Sequence, residues 1–197
     1  MGKPLSEMTL EELWQLFPIV LTEPQSCWKE WYAEEAVLLR LLLPAGTRIS
    51  HIGSTAIDGI WAKPIVDILA EVPGGMDLAV AGAKLPEGGY RCMSRSDTRC
   101  SYNKGYTEEG FAQRVFHLHL RFVGDHDELY FRDYLNEHPE IAKEYEQLKL
   151  SLWKPYEHDR DGYTAAKEAF VARYTQEAKR QYSSRNGMDA PEKESIE

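Results

Sequence analysis

The sequence predicts an α+β domain in which a small mixed β-sheet is flanked by helices and followed by further helices at its C-terminal end. Three observations carry this. Apolar residues recur at steps of three and four between Leu10 and Leu43 and again from Leu129 onward, whereas the β-type runs are confined to the stretch between. The segment separating the first two runs is too short for the crossover helix of a doubly wound parallel sheet. With 197 residues the chain can bury a core without a metal or disulfide staple.

In order, Thr9 reads as an N-cap, with Glu11 and Glu12 in a first turn where negative charge suits the helix dipole, and Pro18 stops that helix. Trp28, Trp31, Tyr32, Ala36, Leu39 and Leu43 mark the buried face of a second helix, ended by Pro44 and Gly46. Strands are expected over Thr47 to Ile52 and Ile65 to Val72, then a helix from Met76 to Leu85 after the Pro73-Gly74-Gly75 break. Gly89 to Ser94 and Val115 to Val123 read as two more strands, joined by a polar loop holding Asn103-Lys104-Gly105 that is expected to be mobile or functional. Helices follow over Leu129 to Glu137, from Pro139 to Pro155 on the stripe Ile141, Tyr145, Leu148 and Leu152, and over Asp161 to Tyr182 on Tyr163, Ala166, Phe170 and Tyr174. Residues 1–182 are expected to form one domain and 183–197 a disordered polar tail.

Composition excludes several functions. Cys27, Cys92 and Cys100 are odd in number and lack C-x-x-C spacing, which points to reduced thiols. Met1 to Leu10 has no apolar core of signal-peptide length, and the longest apolar run, Ala36 to Leu43, is broken by Arg40, so no membrane span and a cytoplasmic location are expected. A net charge of −9 repels a polyphosphate backbone, which argues against a long nucleic acid as ligand. Basic residues outnumber acidic ones from Arg91 to Arg121, a patch that could hold a small anion as readily as form a solvated loop.

The chemistry concentrates between His51 and Ile68. A strand ending in Gly53-Ser54 exposes backbone N–H groups, and a cap from Ser54 or Thr55 on the following turn would complete a cradle for phosphate. Asp67, in an otherwise apolar strand, needs a metal or a partner. Lys63 lies between the two as a point charge for phosphate, and Pro64 fixes entry into the strand. His117 and His119 share a strand face with Arg121, although a zinc site lacks an evident third His or Cys. Arg132 and Lys167, on C-terminal helices, could close over phosphate or pair with neighbouring acids. Asp58 is given no role, Glu71 reads as a solvated strand end, and His126, His138 and His158 as surface or cap residues.

Gly53-Ser54 followed shortly by a strand Asp resembles the signature of the nucleotidyltransferase superfamily of polymerase-β-like enzymes. Ile52-Gly-Ser-Thr-Ala-Ile-x-Gly59, Ala62-Lys-Pro-Ile-Val-Asp67-Ile68, Val115-Phe-His-Leu-His-Leu120, Phe131-Arg-Asp-Tyr-Leu135 and Tyr163-Thr-Ala-Ala-Lys167 resemble the GrpB family, from about Trp28 to Tyr174. The resemblance implies a nucleotidyltransferase-type sheet and a small-molecule nucleotide as ligand. Gly53, Ser54, Thr55, Lys63, His117, Arg132 and Lys167 would hold its phosphates, Asp67 would bind Mg2+, and Asp67 with His119 would be catalytic. The superfamily places a second acid two residues after the first; this chain has Leu69 there, so a catalytically reduced binding or interaction module is the alternative, with a His-x-His metal-dependent hydrolase third.

Overall fold

The computed structural model describes residues 3–188. Helices α1 (Leu10–Leu16) and α2 (Cys27–Leu42) precede strands β1 (Arg48–Ile52) and β2 (Val66–Val72), which flank a single 3-10 turn at Ser54–Ala56. A short α3 (Leu78–Ala81) leads into β3 (Arg91–Arg95), β4 (Arg99–Thr107) and β5 (Gly110–Phe122). Helices α4 (Asp127–Glu137), α5 (Pro139–Trp153) and α6 (Arg160–Met188) complete the fold. The sheet runs β1-β2-β5-β4-β3, with β2 and β5 parallel and every other pair antiparallel. The α+β class and the mixed sheet are therefore as the sequence predicts.

Alternation divides the sheet into two unlike faces. Ile68, Ala70 and Val72 of β2, Leu118 and Leu120 of β5, and Cys100 and Tyr102 of β4 pack against Trp28 and Leu39 of α2, all buried. A second apolar cluster joins Ile57 and Ile60 to Phe131, Leu135, Tyr145, Tyr174 and Ala178 of α4, α5 and α6. Between them the opposite sheet face stays polar, and the register sets Asp67 beside His117 and His117 beside Asn103. Thr9 does cap α1: its hydroxyl accepts from the Glu12 N–H at 3.2 Å, while Glu12 Oε2 accepts from the Thr9 N–H at 2.7 Å.

Several local expectations are corrected. The polar loop is instead strand β4, with a hairpin into β5. Its alternation was masked because Lys104 points inward, where its ammonium donates to Glu35 Oε1 and Oε2 of α2 at 2.7 and 3.0 Å. Gly105, at φ 91°, occupies the bulge beside it, and a Cβ there would lie 2.3 Å from the Arg114 carbonyl oxygen. Four members of the basic patch are taken up in ion pairs, Arg99 with Asp125, Arg114 with Glu34, Arg121 with Glu128, and Lys104 with Glu35, whereas Arg91 and Arg95 form none among the described residues. The helix expected from Met76 is confined to α3 plus a 3-10 turn at Leu85–Gly88, and Ala166 is exposed. Helix α6 continues to Met188 through six residues assigned to the tail; residues 189–197 lie outside the described chain.

Glu35 also accepts from the Tyr90 hydroxyl at 2.9 Å, so it is a buried carboxylate with two donors. Lys104→Met leaves that charge short of its cation and is expected to lower the unfolding free energy by about 3 kcal/mol, read from urea denaturation monitored by tryptophan fluorescence.

Candidate functional site

The polar face of the sheet and helices α5 and α6 enclose a cleft of about 910 Å³. Its floor is Asp67, which the sheet places beside Gly53 at the end of β1. Gly53 has φ 71°, and a Cβ on it would lie 2.3 Å from Asp67 Oδ2, so the carboxylate packs directly on the glycine backbone. His117 Nδ1 lies 3.2 Å from Asp67 Oδ1, and His119 Nε2 approaches the same oxygen to 3.7 Å. Burial pushes the Asp67 carboxyl up, but the two histidines outweigh it and hold its pKa well below the usual carboxylate range. An ionised Asp67 can only accept, so His117 donates through Nδ1. Burial lowers the His117 pKa, leaving a neutral ring whose Nε2 accepts from the Tyr106 hydroxyl at 2.8 Å.

The turn after β1 is secured from behind. Thr55 Oγ1 donates to the Ile65 carbonyl at 3.2 Å, so it accepts from His51 Nε2 at 2.9 Å, which fixes the tautomer of that buried imidazole. Desolvation lowers the His51 pKa to about 4, so the ring stays neutral at physiological pH. Arg132 donates to the His51 carbonyl at 2.7 Å and pairs with Asp133 at 2.6 Å. Neither Thr55 nor Arg132 lines the cleft. They hold the turn, and Thr55 does not cap it.

Positive charge enters from the opposite wall. The Lys63 and Lys167 ammonium groups lie 5.5 and 4.1 Å from the centroid of the same Tyr163 ring. Lys149 of α5, buried, bonds the Trp61 carbonyl and sits 4.9 Å from the Tyr145 ring. Arg160 opens α6 on the same rim. Among the described residues no carboxylate forms an ion pair with any of these four. Desolvation lowers Lys167 and Lys149 to about 7 and Lys63 to about 8, each further depressed by a neighbouring cation. The Tyr163 hydroxyl is buried in this wall without a hydrogen-bond partner among the described residues. Burial raises the Tyr145 pKa to about 12, partly countered by its hydrogen bond with the Ser54 side chain.

Of the residues singled out from sequence, Gly53, Ser54, Lys63, Asp67, His117, His119 and Lys167 thus meet in one cleft. Lys149, Arg160, Tyr145 and Tyr163 were missed. The signal was present: Lys149 stands one turn after Tyr145, and Arg160, Tyr163 and Lys167 fall at i, i+3 and i+7 of one helix. Glu71 is not a solvated end but is buried, accepting from the Gly124 N–H at 3.0 Å and facing His126 Nδ1 at 2.7 Å. His126 is accordingly no simple surface residue. Asp58 forms an exposed pair with Lys29.

Magnesium prefers several oxygen ligands in octahedral geometry. Asp67 is a lone carboxylate against the Gly53-Ser54 turn; Leu69 is fully buried, Glu71 is committed elsewhere, and no group of three or more His, Cys, Asp or Glu side chains among the described residues is arranged to hold a metal. These residues do not fit a two-ion centre. A zinc site on the histidines would break the bonds that occupy both nitrogens of His117.

Fold and cleft together define an α+β protein whose mixed sheet presents one carboxylate and two imidazoles to a wall of lysines. The family model described as GrpB protein matches residues 18–177, and the chain belongs to that family. It is 38% identical over 151 residues to a UPF0157 protein of Pseudomonas aeruginosa, covering 74% of this chain and 62% of that one, so it spans less than two thirds of that relative's length. It is 36% identical to the glutamate-rich protein GrpB of Alkalihalophilus pseudofirmus, covering 78% of this chain and 91% of the relative. The crystal structure of conserved protein GrpB from Enterococcus faecalis superposes at TM-score 0.71 and 30% identity, over 83% of this chain and 99% of its own.

Two predictions follow the geometry. Gly53→Ala forces a side chain into the Asp67 carboxylate at positive φ and is expected to cost about 1–3 kcal/mol, measured by thermal and urea unfolding. Because Lys63, Lys149 and Lys167 titrate in the folded protein at about 8, 7 and 7 rather than at the ordinary 10.5, the unfolded chain binds more protons between those values and the ordinary one. Their contribution to stability therefore rises with pH across that window. Affinity for sulfate, whose own charge is fixed, should fall between about pH 6 and pH 9; constant affinity there would place anion binding on other groups.

Proposed function

We propose that the chain is a nucleotidyltransferase-like module of reduced catalytic capacity that binds a phosphorylated small molecule, a nucleotide foremost, through the lysine wall of this cleft. One observation carries the reading: Lys63 and Lys167 flank Tyr163 without an acidic partner among the described residues, opposite Asp67 with its two imidazole neighbours, while Asp127 and Glu128 of the same cleft pair with Lys179 and Arg121. Cations left desolvated and unpaired are costly, and a phosphate relieves that cost with charge-assisted hydrogen bonds. Gly53 and Ser54 border the same space, as the Gly-Ser resemblance implies. The Ser54–Ala56 turn is too short to supply much helix dipole, so the binding energy rests on the side chains. A cytoplasmic location accords with three free cysteines, and no helix among the described residues is long and apolar enough to cross a membrane.

A second reading, nucleoside monophosphate transfer with Mg2+, is favoured by the seat of Asp67 directly against Gly53. Calorimetry with inorganic triphosphate and the four ribonucleoside triphosphates, in chelator and in Mg2+, separates the two. Binding is expected to persist in chelator, to weaken about tenfold in Lys167→Met, equal to about 1.4 kcal/mol, and to hold or strengthen in Asp67→Asn, which removes a repulsive charge. Magnesium-dependent pyrophosphate release that disappears in Asp67→Asn would establish transfer instead. No binding by any of these anions would refute a phosphate site.

A further inference from the structure

A second cavity, of about 430 Å³, adjoins the cleft, and Lys63, Ile65 and Arg160 line both. Its character is different. Phe17, Tyr106 and Phe111 form a mutually packed trio, with ring centroids 4.7, 5.0 and 5.1 Å apart, and Trp14 of α1 adds a fourth ring to the wall. Asn103, on the same sheet row as His117 and Asp67, reaches this cavity, and its carboxamide makes no side-chain hydrogen bond among the described residues. Tyr106 is the partition: its ring belongs to the aromatic cavity, while its hydroxyl donates to His117, which donates in turn to Asp67.

We infer that this cavity receives the aromatic part of a phosphate ester whose phosphate sits on Lys63 and Arg160. This rests on the phosphate-binding reading of the cleft and extends it to the rest of the ligand. Shared cations at the junction place an anion where the two spaces meet. A ring attached to that anion then has two choices, a cleft walled by lysine, histidine and acid, or a chamber of four aromatic side chains with one unpaired carboxamide at its edge. Offset and edge-on stacking favours the second, and the buried apolar surface adds to it. The carboxamide offers one acceptor and two donors to the polar edge of a heterocycle. A volume of this size suits a bicyclic ring and its immediate linker.

Two matched pairs test it: adenosine 5'-triphosphate against inorganic triphosphate, and 1-naphthyl phosphate against inorganic phosphate, titrated by calorimetry into the full chain. At least one ester is expected to bind about tenfold tighter than its inorganic partner. Trp14→Ala should erase that gain while leaving the inorganic anion's affinity unchanged. Phe111→Ser, at a 39% exposed position, provides a second variant that removes a ring from the wall without disturbing the core. Esters that bind no tighter than the bare anions, or a gain that survives both variants, overturn the aromatic site while the phosphate cleft stands. Failure of the inorganic anions and the esters alike removes the phosphate cleft and this inference with it.

Discussion

The contact between the Asp67 carboxylate and the backbone of Gly53 is the constraint on which the site depends. A carboxylate in an otherwise apolar strand must find partners, and here it finds them on both sides. To one side a glycine at positive φ lets the turn close down on Oδ2; to the other the parallel partner strand presents His117 and His119. Any side chain at position 53 would separate β1 from the floor of the cleft. The arrangement also explains the layer behind it, where His51, Thr55 and Arg132 form a hydrogen-bonded brace whose only evident task is to hold the turn in place.

The electrostatic consequence is a cleft of divided sign. The sheet contributes Asp67, hydrogen-bonded by imidazole, and the C-terminal helices contribute Lys149, Arg160 and Lys167 together with the acids Asp127, Glu128 and Glu168, joined by Lys63 from the approach to β2. Other basic side chains are taken up by acids, as at Arg99, Arg121 and Lys104. In a chain of net charge −9, the lysines that desolvation lowers, Lys63, Lys149 and Lys167, thus lie together among the described residues. Desolvation brings two of these lysines down to about 7, so the positive charge of the wall depends on pH within the physiological range.

Tyr106 links this cleft to the aromatic chamber beside it. Hydrogen bonds run from its hydroxyl through His117 to Asp67, while its ring packs on Phe17 and Phe111. Whatever fills the chamber therefore touches the same residue that orients the imidazole next to the carboxylate. Packing and polar chemistry meet in one side chain, and the pairing of β4 with β5 is what puts it there.

Much of this was written locally. Helix α2 was legible because Trp28, Ala36 and Leu39 recur with the helical period and are buried as that period requires. The capping box at Thr9, the strands around Asp67, and the candidacy of Gly53, Ser54, Lys63, His117 and His119 follow from residue type and spacing. Strand β4 was not legible, because its inward Lys104 is satisfied by a glutamate from a distant helix and breaks the alternation that marks a strand. Glu71 looked solvated for the same reason in reverse, since its partners come from the Gly124 turn and His126. Sequence by itself determined most of the elements, the family and the residues of the cleft floor, because short-range periodicity and turn chemistry are encoded within a few residues. Only the tertiary structure decided which cations remain unpaired and face that floor, because charge pairing depends on distances between segments that lie far apart along the chain.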